Sequence, residues 1–317
     1  MAALSDTRPA VIAIGGPTAT GKTSLSVRLA KTFDGEIISA DSMQIYKGLD
    51  IGTAKATLAE QQGIPHHLLS ILSPEELFSV ADFTALAGQQ IQKITACNGL
   101  PLVVGGTGLY ITSLLNGMRF TPEKGDPVLR RELQARAVAG EGSQLYEELK
   151  IVDPDYAMNV HPNNLPRVIR ALELFRCTGR KMSEQRRAAL PETPPYRSLC
   201  LCLTCHDRQT VYQRINERVD RMLAEGVLQE AEWVWNHCET CPTAAQAIGY
   251  KEFFPYFEGT AQLPDCVENL KQASRNYAKR QLTWFHHQNN AVWLYADDRD
   301  VYEQAEILVR EFLVKPE

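Results

Sequence analysis

The chain lacks any apolar run near the ~20 residues that a membrane-spanning helix needs. Its first residues, Met1 to Pro9, hold no apolar signal core. A cytoplasmic protein is therefore expected. Internal repeats and low-complexity stretches are missing too. The seven histidines include no H-E-x-x-H spacing, and the adjacent pairs His66-His67 and His286-His287 point apart on a helix or strand, so they chelate poorly. A net charge of −5 by itself argues against nucleic acid, although the average hides local basic segments. The eight cysteines include Cys202-x-x-Cys205 and Cys238-x-x-Cys241, the spacing of a four-thiolate zinc site. Yet Leu199 to Leu203 reads as a buried strand, where cysteine acts as a small apolar residue. A long helical stretch also separates the pairs, so the strand reading is the stronger one. At 317 residues, 44% apolar and 22% charged, the chain has room for one large domain plus an insertion or a second domain.

What is present begins with a phosphate loop. Gly16-Pro17-Thr18-Ala19-Thr20-Gly21-Lys22-Thr23 fits G-x-x-x-x-G-K-[ST] at every fixed position. Val11 to Ile14 before it suits a buried strand, and Ser24 to Ala30 after it has apolar residues at helical spacing. Strand, glycine turn and helix are the context in which backbone amides and a helix N-terminus surround an anion. Lys22 adds a mobile cation, and the Thr23 hydroxyl suits a Mg2+ on the phosphate oxygens. A bound di- or triphosphate is expected.

A second short strand, Glu36 to Ala40, ends in Asp41-Ser42-Met43-Gln44. Ligands of open α/β sheets bind beyond the carboxyl ends of strands, so Asp41 falls on the edge that carries the phosphate loop. Gln44 to Lys55 reads as a loop over that edge. A helix spans Ser79 to Cys97 and is stopped by Gly99-Leu100-Pro101. A third strand, Leu102 to Val104, opens into Gly105-Gly106-Thr107-Gly108-Leu109-Tyr110. An ATP-hydrolysing P-loop protein usually ends this strand in an aspartate that holds Mg2+ and positions water. The hydroxyl of Thr107 instead suits a hydrogen bond to a ligand oxygen.

Thr121 to Pro127 and Pro191 to Pro195 read as linkers. Residues 120–195 between them are expected to form an inserted helical module, and 1–119 with 196–317 the core. Asn164 is placed to cap a helix from Leu165 to Cys177 that carries Arg167 and Arg170 one turn apart and ends at Gly179. Between residues 163 and 190 lie Arg167, Arg170, Arg176, Arg180, Lys181, Arg186 and Arg187 against only Glu173 and Glu184. Lys271, Arg275, Lys279 and Arg280 form a second basic segment, without acids, on a long helix from Leu263 to Gln288. Two such segments fit a localised polyanion site or solvated helix faces. Between the two lie a strand, Leu199 to Thr204, and a helix from Asp207 to Gly226 bearing Arg214, Arg218 and Arg221. A late strand, Val292 to Leu294, and a closing helix over 300–314 complete the chain.

These pieces together resemble the bacterial tRNA dimethylallyltransferases, also called tRNA isopentenyltransferases, over nearly the whole chain. The resemblance rests on the phosphate loop at 16–23, Asp-Ser-Met-Gln-Ile-Tyr-Lys-Gly-Leu-Asp-Ile-Gly-Thr-Ala-Lys at 41–55 and Gly-Gly-Thr-Gly-Leu-Tyr at 105–110. Arg-Val-Ile-Arg-Ala-Leu-Glu at 167–173, Ala-Ile-Gly-Tyr-Lys-Glu at 247–252 and Tyr-Ala-Lys-Arg-Gln-Leu-Thr-Trp-Phe at 277–285 extend it. It implies an α/β, P-loop NTPase-like core, a parallel sheet flanked by helices, with a helical insertion that contacts tRNA. It implies transfer of a dimethylallyl group from its diphosphate to N6 of adenosine 37, the nucleotide 3′ of the anticodon, with Mg2+ assisting. The family's loop is often described as ATP-binding, although the diphosphate donor occupies it.

On this resemblance Asp41 is the candidate base for the adenine amine, with capping of the following turn as its structural alternative. Thr107 would donate to the oxygen bridging carbon and phosphorus, unless its hydroxyl only bonds backbone. Gly16 to Thr23 would hold the diphosphate, with Arg218 and Arg214 as further phosphate contacts. Asp41, Ser42, Met43, Gln44 and Thr107 would meet the adenosine, with the Gln44 amide reading the base. Arg130, Arg167, Arg170, Lys279 and Arg280 would hold stem and loop phosphates. A monomer is the default. Competing readings are an adenylate isopentenyltransferase, a small-molecule kinase and a non-enzymatic tRNA-binding module. The insertion and the basic C-terminal helix argue against the first, the Gly-Gly-Thr strand end against the second, and Asp41 with the phosphate loop against the third.

Overall fold

The computed structural model describes residues 6–120, 125–288 and 290–314. Six strands among them form one parallel sheet: β1 Ala10–Gly15, β2 Gly35–Ser39, β3 His66–His67, β4 Leu100–Val104, β5 Arg197–Thr204 and β6 Ala291–Tyr295. Their spatial order is β3-β2-β4-β1-β5-β6, the α/β, P-loop NTPase-like core that the motifs call for. Strand β1 is central, with Ile12 opposite Leu102 of β4 and Leu199 of β5. Side chains alternate across a strand, so Val11 and Ala13 enter one core and Ile12 and Ile14 the other. Helices Lys22–Thr32 and Val301–Val314 cover the second face through Leu25, Leu29, Ala305 and Val309. Helices Val80–Ala96, Gly108–Leu115, Val227–Asn236 and Leu263–His286 cover the first. Burial on both faces explains why the strands read as continuous apolar runs.

The chain divides into two compact units, Met1–Asn116 with Pro194–Glu317, and Gly117–Thr193. The second is helical. Helices Pro127–Val138, Gly142–Val152 and Leu165–Thr178 pack Leu133, Leu145, Leu149, Val168 and Leu172 into its core. Residues 121–124 of the first linker and Met1 to Ser5 of the N-terminal segment lie outside the described residues.

Three local expectations change. Strand β3 is too short to leave a periodic signal; it pairs Ile37 with His66, beside a contact between His67 and Glu36. Leu100 and Pro101, read as a helix stop, are strand residues. Proline is tolerated there because the ladder from β4 to β1 begins only at Leu102. Asn164 holds the N-cap position of its helix but makes no side-chain cap bond, whereas Gly179 closes that helix at φ 69° as expected.

Phe285 of the Leu263–His286 helix is 1% exposed and lies against Gly15 at the end of β1. Phe285→Ala should lower stability by about 3–5 kcal/mol, measured as a lower midpoint of urea unfolding; an unchanged midpoint would show that this helix contributes little to holding the sheet.

Candidate active site

Three loops leave the carboxyl ends of β1, β2 and β4, where spatial order departs from chain order. The phosphate loop follows β1. Gly16 takes φ 126°, and a Cβ there would lie 2.3 Å from the Leu203 carbonyl oxygen, so only glycine passes this close to β5. The Pro17 carbonyl accepts from the Thr20 hydroxyl at 2.9 Å and from the Lys22 ammonium at 2.6 Å. Ala19 and Gly21 adopt left-handed φ before the helix starts at Lys22. Burial pushes the Lys22 amine down to about 7; the Arg218 charge pushes the same way and the Asp41 carboxylate opposes both.

Asp41 follows β2. Its Oδ1 accepts from the Met43 and Gln44 amides at 2.9 and 3.4 Å, the capping role that was its structural alternative. Its Oδ2 has no hydrogen-bond partner among the described residues. One oxygen fixes the turn, therefore, and the other is open to chemistry. Thr107 follows β4. Its hydroxyl accepts from the Ser42 amide at 3.2 Å, which leaves its own hydrogen to donate. Residues 41–42 and 107 are thus joined directly. The Tyr277 hydroxyl reaches both Thr107 and Gln281; burial and the Asp41 carboxylate push it up to about 12. The Arg280 guanidinium lies over the Tyr277 ring at 5.5 Å.

Arg218, on the helix Arg208–Glu225, lies at the phosphate loop. Its guanidinium donates to the Thr18 hydroxyl at 2.8 Å and to the Ala54 carbonyl at 3.4 Å, tying the phosphate loop to the loop after β2. Burial pulls it below its ordinary value, against the charge of Asp41. The Gln44 amide accepts from the Ser39 hydroxyl at 3.1 Å and donates to the Thr53 and Ala54 carbonyls at 3.2 and 3.3 Å. It braces the loop and keeps one acceptor lone pair. Lys55, from the same motif, donates to Tyr46, Asp50 and Ser70.

Two further residues escaped the sequence reading. Glu230 accepts from the amides of Asp50, Ile51 and Gly52 at 2.6, 2.9 and 2.8 Å and from the Tyr250 hydroxyl at 2.9 Å. The Ala247–Glu252 motif is therefore part of the clasp on the loop after β2. Gln281 accepts from the Thr18 amide and donates to the Gly106 carbonyl. A polar residue amid the apolar spacing of its helix was the signal for it.

The basic candidates divide. Lys279, Arg280 and Arg167 are exposed. Arg130 and Arg170 both bind Glu173, which is fully buried, at 3.0 Å. Arg130 engages it through Nε and Nη2 and Arg170 through Nη1, while both side chains stay partly exposed. Cys200 and Cys202 lie 3.9 Å apart, Sγ to Sγ, on β5. Among the described residues no three His, Cys, Asp or Glu side chains converge on a metal position. A Mg2+ here would draw the Thr23 hydroxyl, which has no hydrogen-bond partner among the described residues, and take oxygens from phosphate and water. That fits the ordinary donor set of Mg2+.

A family model described as IPP transferase matches residues 44–288, and one described as isopentenyl transferase matches 9–72. The tRNA dimethylallyltransferase of Bacillus subtilis (strain 168) is 47% identical over 294 residues, 92% of each chain. The chain belongs to the tRNA dimethylallyltransferase family, and it is a transferase. The Bacillus cereus relative is 48% identical over 301 residues, 95% of this chain and 94% of its own. Among solved structures, the tRNA isopentenylpyrophosphate transferase of Bacillus halodurans matches with TM-score 0.73 and 41% identity, over 96% of this chain and 97% of that one. A eukaryotic dimethylallyltransferase, solved acting on tRNA, matches with TM-score 0.82 and 33% identity, over 96% of this chain and 79% of its own. Among the described residues no helix is long and apolar enough to cross a membrane.

An anion in the loop favours the charged form of Lys22, whose amine is held at about 7. Inorganic pyrophosphate affinity, taken as the ratio of wild type to Lys22→Arg, should therefore fall as pH rises past 7. Titrations from pH 6 to 8.5 check this, and a constant ratio would remove Lys22 as the titrating group.

Proposed function

We propose that this transferase moves the dimethylallyl group of dimethylallyl diphosphate to N6 of adenosine 37 of tRNA, in the cytoplasm, as a monomer. The observation that carries this reading is the bond from the Ser42 amide to the Thr107 hydroxyl. It sets a carboxylate with an open oxygen beside a hydroxyl with a hydrogen to give, next to an anion-binding loop.

The adenine N6 attacks C1 of the donor. The bond from C1 to the bridging oxygen breaks, and its electron pair leaves with diphosphate. N6 is a poor nucleophile because its lone pair is delocalised into the ring, so Oδ2 of Asp41 takes its proton as the new bond forms. Charge grows on the bridging oxygen, where Thr107 donates. The amides from Ala19 to Thr23, with Lys22, hold the departing diphosphate. Mg2+, held by Thr23 and the diphosphate oxygens, would neutralise part of its charge. The relatives named for tRNA support the acceptor class, and the exposed Arg167, Lys279 and Arg280 suit its phosphates. Arg130 and Arg170, paired with Glu173, would offer two cations to the stem. Met43 and the remaining lone pair of Gln44 would meet the flipped base.

Labelled dimethylallyl diphosphate, offered with Mg2+ to an anticodon stem-loop, AMP and ATP in parallel, should label only the stem-loop. Labelling of AMP or ATP would replace tRNA with a mononucleotide acceptor. Thr107→Ala should cut kcat by about 100-fold or more with little change in donor KM; a loss confined to KM would reject its place on the bridging oxygen.

Stem-loop affinity should fall steeply with salt, and Arg167→Ala should lessen the log–log slope by about one. Binding indifferent to salt would rule out a phosphate-held acceptor.

A further inference from the structure

Gln281 is a polar residue in the wall of the core, 5% exposed, on the Leu263–His286 helix. Both ends of its amide are used. Oε1 accepts from the Thr18 amide at 3.1 Å, and Nε2 donates to the Gly106 carbonyl at 3.0 Å. One side chain thus joins the phosphate loop to the turn that bears Thr107. The fit is close: a Cβ on Gly106 would lie 2.1 Å from Gln281 Nε2. Glycine at 106 is what lets the amide reach the carbonyl. Thr18 is held on its other side by Arg218 at 2.8 Å, so the phosphate loop is clamped from two helices.

The sheet does not make this link. Its last backbone bond between these two turns runs from the Gly105 amide to the Ile14 carbonyl at 3.1 Å. Past it, among the described residues, no backbone hydrogen bond joins them. Side chains of the Leu263–His286 helix bridge the gap instead: Gln281 bonds both turns directly, and the Tyr277 hydroxyl reaches Gln281 and Thr107.

We propose that Gln281 is a positioning residue that sets the separation between the diphosphate and the Thr107 hydroxyl and so governs the bond-breaking step more than donor binding. The proposal rests on the role given to Thr107 above. A donor to a developing oxyanion works within a few tenths of an ångström, and a shift of about 1 Å costs about 100-fold in rate. Affinity for the donor comes from the amides of Ala19 to Thr23 and from Lys22, none of which Gln281 touches.

The test uses the full chain with an anticodon stem-loop and labelled dimethylallyl diphosphate. Gln281→Met keeps length and loses both hydrogen bonds. Its kcat should fall by about 30–100-fold while donor KM stays within about threefold. Gln281→Glu separates positioning from packing. Its carboxylate can accept from Thr18 but has no hydrogen for the Gly106 carbonyl. Burial favours the neutral acid, which restores that donor as pH falls. The ratio of its kcat to wild type should therefore rise by about tenfold from pH 8 to pH 6, which a merely structural role would not produce.

Gly106→Ala pushes the amide away from its far end. It should cause the same loss selective for kcat, and little further loss when combined with Gln281→Met. A Gln281→Met enzyme with wild-type kcat, a loss carried by KM, a flat ratio for Gln281→Glu or additive losses in the double variant would each overturn the proposal. A wild-type chain that transfers nothing from dimethylallyl diphosphate overturns the function reading; an active wild type with unaffected variants overturns only the role of Gln281.

Discussion

A parallel sheet delivers loops to one edge but does not hold them there once the strands end. Buried amides and carbonyls in such loops still need partners. In this protein the partners are side chains from later helices. Gln281 takes the Thr18 amide and the Gly106 carbonyl, Arg218 takes the Ala54 carbonyl, and Glu230 takes three successive amides from Asp50 to Gly52. Each bond exchanges an orphaned backbone group for a fixed loop position. Asp41 and Thr107 inherit their places from this arrangement.

The electrostatics follow from the same packing. Burial works against both Lys22 and Arg218, and the Asp41 carboxylate is the largest opposing charge on each. The desolvated cations beside the loop are a setting that an anion would stabilise. The Gly117–Thr193 unit uses the opposite balance for a similar end. There one buried carboxylate, Glu173, holds Arg130 and Arg170. In the helical unit the anion that the cations need is built in.

What the sequence revealed divides along physical lines. The phosphate loop was legible because its geometry is local, made by glycines and by the strand and helix beside it. Asp41 and Thr107 were legible because they end strands whose apolar runs are plain. The roles of Gln281, Glu230 and Arg218 were not, since each bonds a loop far away in the chain; Gln281 and Thr18 are 263 positions apart. No local period or motif encodes such a pairing. The same limit explains Gln44, whose amide chemistry suited a base but is largely taken up by Ser39, Thr53 and Ala54. Pro101 misled for a different reason. Proline usually breaks elements, but here it sits before the ladder to β1 begins.

The clamp on the phosphate loop also bears on how the protein is made. Synthesis runs from the N-terminus, so the loop at 16–23 leaves the ribosome long before the helices that shape it. Strand β5, which pairs with β1 along its length, begins only at Arg197. Gln281 lies in the last long helix before β6. A nascent chain therefore carries the whole motif with its local bonds but without the side chains that tie it to the neighbouring loops. The bonds that tie this loop to the turn after β4 are made late, when the C-terminal helices dock.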